Sequence, residues 1–101
     1  MPQENSNIKE RGKTGLNEPG KYGVIFHNDD FTPMEFVVLV LLNIFYKDYN
    51  ESEQLMLKVH MEGKAMVGIY SYDIAMTKAN KTISMARASG YPLRISVSPV
   101  L

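Results

Sequence analysis

The chain has 101 residues, enough for one modest core and little more. Eleven basic residues balance eleven acidic ones, so no global field favours nucleic acid or an anionic membrane, and any charge-based function is local. The absence of cysteine removes disulfides, thiolate metal sites and cysteine nucleophiles together, and fits a reducing, cytoplasmic setting.

Residues 1–20 are polar and rich in glycine and proline, with only Ile8 and Leu16 to bury. Such a stretch cannot offset its ordering entropy and is expected to be a flexible extension, with a folded domain over residues 21–101. It has no apolar stretch of signal-peptide type. The densest apolar run, Phe36 to Phe45, is shorter than the roughly 20 residues that a bilayer span requires.

Tyr22, Val24 and Phe26 alternate with Gly23, Ile25 and His27, the period of a first strand. Thr32, Pro33 and Glu35 then have the spacing of a capping box with proline at the first helical position, and Phe31 with Phe36 the spacing of a hydrophobic staple. These signals predict a largely buried helix from Pro33 to about Tyr46. A second capping box at Asn50 and Glu53 predicts a helix reaching Glu62, with Gly63 as its stop and Leu55, Met56, Val59 and His60 on one side. Lys64 to Tyr70 reads as a second strand. A third helix runs from Ser71 or Tyr72 to about Ser89, packing through Ala75, Ala79, Ile83 and Ala86 and ending at Gly90. Leu93, Ile95 and Val97 alternate with Arg94, Ser96 and Ser98 as a third strand with one wet face. The expected class is α+β, in the order β-α-α-β-α-β, with a three-stranded sheet covered on one face by three helices.

Chemistry concentrates in the turn before the first helix, where His27, Asn28, Asp29 and Asp30 stand together. Singly, each is an ordinary turn or helix-start residue. Together they carry more negative charge than a helix start can use. A surplus carboxylate beside an amide carbonyl suits a cation with several N–H donors, such as an ammonium group. Met34, Val37 and Met56 read first as core, but they could also give such a ligand an adaptable apolar wall. His60, one turn beyond Met56, is a structural histidine or a further acceptor. His27, Asp29, Asp30 and His60 could in principle bind zinc, but no paired-histidine spacing supports it. There is no nucleophile elbow and no phosphate loop. The residues describe a binding protein without catalytic residue, metal or cofactor. A small structural or ribosome-associated domain without a pocket is the alternative, and it would place Asp29 and His60 on separate surfaces.

Three separated runs carry a resemblance. Asn28-Asp29-Asp30-Phe31-Thr32-Pro33-Met34-Glu35-Phe36-Val37 is similar to the signature of the ClpS adaptors. Leu55 to His60 with Glu62-Gly63-Lys64-Ala65 resembles that family's second motif. Ala75, Thr77-Lys78, Ala86-Arg87 and Tyr91-Pro92-Leu93 resemble the remainder, so the match covers residues 21–97. The resemblance implies a three-stranded antiparallel sheet on three helices. It also implies an adaptor that binds proteins whose first residue is Phe, Tyr, Trp or Leu and delivers them to a ClpA-type or ClpC-type ATPase of the Clp protease. By motif position it implies that Asn28, Asp29 and His60 hold the substrate α-amino group, and that Asp30 and Thr32 shape the rim. Met34, Val37, Met56, Val59 and Leu93 would line the side-chain pocket, with Met34 as a gate against β-branched residues. Asp73 and Lys78 would face the ATPase.

Overall fold

The computed structural model describes residues 20–100, so the expected extension lies almost wholly outside the described residues. The order of elements is β1 (Lys21–His27), α1 (Met34–Asn43), α2 (Tyr49–Glu62), β2 (Lys64–Tyr70), α3 (Tyr72–Ala88) and β3 (Arg94–Val100). The strands form one antiparallel sheet, in spatial order β2-β1-β3. β1 is central: His27 pairs with Lys64 on one side and Arg94 on the other, and Lys21 pairs with Val100. The fold is the expected α+β arrangement of three strands and three helices.

Alternation along β1 sends Val24 and Phe26 inward, both fully buried. They meet Val40 and Leu41 of α1, Val59 of α2, Ala75, Ala79 and Ala86 of α3, and Leu93 and Ile95 at the start of β3. Phe26 stacks edge-on against Phe45, with ring centres 5.4 Å apart. Each of the larger buried side chains contributes roughly 1.5–3 kcal/mol by leaving water. The alanine stripe of α3 lets that helix lie close to the sheet.

Strand β2 does not keep a simple alternation. Val24 pairs with Gly68 but its neighbour Ile25 pairs with Met66, so Val67 is an extra residue in a β-bulge. The bulge separates two residues that a period of two would put on one side: Val67 is 3% exposed and Ile69 48%. Beyond it, the Tyr70 ring turns back towards the helices and comes within 6.3 Å of Phe45. A Cβ on Gly68 would meet the Tyr70 hydroxyl and, at 2.6 Å, its ring, so the glycine leaves room for that side chain.

Both proposed capping boxes are replaced by nearby alternatives. Helix α1 has Pro33 as its N-cap and no side-chain cap bond, because Thr32 is already bonded to Asp29. The staple is not formed: Phe31 is 77% exposed, and Phe36 packs on Tyr91 instead. The α1 helix stops at Asn43, before the expected Tyr46. Tyr46 adopts a left-handed φ of 55°, and the Lys47 N–H reaches back to the Leu41 carbonyl at 3.0 Å. The cap of α2 is Asp48, whose carboxylate accepts from the Glu51 N–H at 2.7 Å. Gly63 and Gly90 end α2 and α3 as expected, at φ 89° and 80°. After α3 the Tyr91 N–H returns to the Ala86 carbonyl at 2.8 Å, closing a Schellman turn that aims the chain into β3.

Candidate binding site

The turn from β1 to α1 is built around one carboxylate. Asp29 Oδ1 accepts the N–H groups of Phe31 at 2.8 Å and Thr32 at 2.7 Å, and its Oδ2 accepts the Thr32 hydroxyl at 2.8 Å. Burial pushes this carboxyl up, but the two backbone hydrogen bonds, the Thr32 hydroxyl and the more distant Arg87 charge outweigh it, holding Asp29 below the usual carboxylate range. Asp29 is therefore charged at neutral pH. The expected surplus of charge is smaller than two free carboxylates, because most of the Asp29 acceptor capacity is spent on the turn.

A second bond ties this turn to a remote part of the chain. The Asn28 N–H donates to the Gly63 carbonyl at 2.9 Å, joining the end of β1 to the end of α2. His60 lies one turn before Gly63, so this bond brings it beside Asn28 and Asp29. The result is a cavity of about 210 Å³ lined by Asn28, Asp29, Asp30, Thr32, Met34, Val37, Met56, Val59 and His60. Its mouth carries the polar groups. Val37 and Val59, 6% and 3% exposed, form the apolar depth, and the flexible Met34 and Met56 stand between. Asp29 and His60 thus share one cavity, which is not the arrangement a pocketless structural domain would have.

Two residues of the expected constellation stand elsewhere. Leu93 is not on the cavity wall; at 1% exposure it is part of the core behind it. His27 points to the opposite face of the sheet, where its Nε2 lies 2.7 Å from the Ser96 hydroxyl. The four candidate zinc ligands consequently do not converge, and among the described residues no three metal-binding side chains cluster.

Two residues outside the expected constellation support the site. Gly63 supplies the carbonyl that closes the site. Arg87 donates from Nη1 to the carbonyls of Tyr91 and Leu93, both at 2.9 Å, fixing the α3–β3 corner while adding positive charge towards Asp29. Asp73 and Lys78 lie away from the cavity, in a surface hollow with Ile44, Tyr46, Ile74, Thr77 and Lys81. The Lys78 ammonium donates to the Ile44 carbonyl at 2.7 Å and lies 4.7 Å from the centre of the Tyr46 ring, so it also caps the end of α1.

An antiparallel sheet backed by three helices, with polar acceptors at the mouth of a small apolar pocket, is the build of a small binding domain. The family model described as ATP-dependent Clp protease adaptor protein ClpS matches residues 17–96. Curated ClpS adapters of Burkholderia mallei and Burkholderia pseudomallei are 46% identical over 92 residues, spanning 91% of this chain and 88% of each relative. The solved structure of Agrobacterium tumefaciens ClpS2 bound to L-phenylalaninamide superposes with a TM-score of 0.80 at 35% identity, covering 82% of this chain and all of that one. The chain belongs to the ClpS family of Clp protease adaptor proteins.

Proposed function

We propose that this adaptor binds the free α-ammonium group and the first side chain of proteins that begin with Phe, Tyr, Trp or Leu, and presents them to a ClpA-type or ClpC-type unfoldase. The observation that carries the reading is the single cavity in which Asn28, Asp29 and His60 rim an apolar depth of Val37, Met56 and Val59. The similar Agrobacterium protein binds phenylalaninamide, a ligand with a free amine and a large apolar side chain.

The chemistry follows from the acceptors. An ammonium group has three N–H donors, and the Asn28 amide oxygen, the open lone pair of Asp29 Oδ2 and a His60 ring nitrogen can each take one. A free α-ammonium occurs only at a chain start, so this requirement rejects internal residues. Asp30 and Thr32 hold the rim, where the first peptide unit leaves the pocket. Met34 closes over the side chain, and a branch at its Cβ would meet the thioether. Asp73, with the exposed part of the Lys78 hollow, faces the unfoldase. The adaptor itself makes and breaks no bond.

Calorimetry with two peptides tests the reading. One begins with free Phe, and the other is the same peptide acetylated at its amine. The free peptide binds, and acetylation lowers affinity by about tenfold or more, since it leaves an acceptor covered by the peptide but unpaired, at roughly 1–3 kcal/mol. Equal affinity for the two would refute amine recognition. With Met34→Ala, a peptide beginning with Ile binds as well; continued rejection of Ile would remove Met34 as the gate.

A further inference from the structure

We propose that the open face of the sheet, opposite the helices, is a second docking surface, and that it takes an acidic, apolar segment of a partner polypeptide. This surface is separate from the amine-binding cavity and does not depend on that reading.

Strand pairing fixes the geometry. Phe26, Ala65 and Ile95 are cross-strand partners and all point into the core. Their neighbours His27, Lys64 and Arg94 are also cross-strand partners and so point outward in one row. The His27 ring faces this charge: burial first, then Arg94 and Lys64, lower its proton affinity. Lys21 stands on the same face at the far end of β1. By strand alternation, no carboxylate stands on it among the described residues, although eight Asp and Glu side chains are distributed over the helices and turns. A chain with no formal net charge therefore presents one face of a single sign.

Between the two ends the β1–β2 side of the face is aliphatic, with Ser96 and Ser98 of β3 beside it. Met66 and Ile69 are 42% and 48% exposed, and the Met66 thioether lies across Gly23 beside Val100. Apolar surface rimmed by one charge sign is the usual character of a protein-binding patch. Single-stranded nucleic acid is the less suited occupant, because it stacks its bases on aromatic rings and Tyr22 and Tyr70 point to the other side. The chain's own first 19 residues hold three acidic and three basic side chains, so they do not complement the charge. Strand addition at the sheet edges is opposed by the bulge at Val67 and by Pro99. The face, rather than the edge, is the surface on offer.

The test titrates the isotope-labelled full chain with a short N-acetylated peptide of alternating Glu and Leu, followed by amide chemical shifts. Acetylation keeps this probe out of a cavity that requires a free amine. Shifts should move at Ile25, Met66, Ile69 and Ser96. The double variant Lys64→Glu, Arg94→Glu should lose about tenfold or more in affinity. Both side chains are exposed and outside the cavity, so an unchanged circular-dichroism spectrum and melting temperature report that the variant is folded. Shifts confined to other surfaces would overturn the proposal, as would a Lys–Leu peptide binding as tightly. Tighter binding of an oligothymidylate would overturn it in favour of nucleic acid.

Discussion

Asp29 offers about four lone-pair positions, and the turn fills three of them. The residue is both a strut and a ligand, so Asp29→Ala, the obvious variant, would damage the turn along with the site. Asp29→Asn separates the roles. The amide oxygen keeps the two N–H bonds, and its NH₂ group can donate to Thr32, but the charge and the last acceptor are gone. Affinity for a Phe-initiated peptide should fall about ten- to a hundredfold with little change in melting temperature. An unchanged affinity in calorimetry would remove Asp29 from the site. His27 gives a pH signature unconnected with the cavity. Its folded value lies below the ordinary histidine value of 6.5, so on acidification the unfolded chain takes the proton first. The contribution is complete above that value and is lost as pH falls through it towards the lower folded value. His27→Gln should flatten the stability profile below about pH 7 in urea titrations. Helical spacing puts Met56, Val59 and His60 on one side of α2, but only the family resemblance marks them, with Asp30 and Thr32, as cavity residues. The division of labour within Asp29 was not legible in the sequence, because it depends on which of several competing donors reaches the carboxylate.

Element ends show the same limit. The existence of all six elements follows from periodicity, and the bounds of β2 coincide with the expected Lys64 and Tyr70. The caps differ because Thr32 and Asp48 compete locally with the spacings that suggested boxes at Thr32 and Asn50. The bulge at Val67 has no local signal beyond Gly68, since it is defined by the partner strand. Gly63 is the element end with most influence. It is left-handed, nothing lies within 4 Å of a Cβ placed there, and its carbonyl anchors Asn28. Gly63→Ala therefore isolates backbone strain and should cost about 1–2 kcal/mol in thermal unfolding. Peptide affinity should fall as well, because His60 is positioned through the same corner. Full affinity in a destabilised variant would show that the corner does not set the site.

At the scale of the molecule, the cavity joins the end of β1 to α2 across the core, so it exists only when the domain is folded. Anything that binds it then stabilises the whole. A saturating Phe-initiated peptide should raise the melting temperature, by an increment that grows with the logarithm of peptide concentration. Its acetylated form should raise it less at the same concentration. Equal shifts from both peptides in scanning calorimetry would place their binding elsewhere. The position of β1 has a consequence for how the protein comes into being. The first strand of the sequence is the middle strand of the sheet, and Lys21 waits for Val100 at the other end of the described chain. During synthesis α1 and α2 can begin to pack while β1 has no second neighbour. Its ladder on that side closes only after β3 has left the ribosome. Until then the strand that leads into the cavity is half-paired, and a nascent chain interrupted before Arg94 would leave an open edge where the finished protein has its centre.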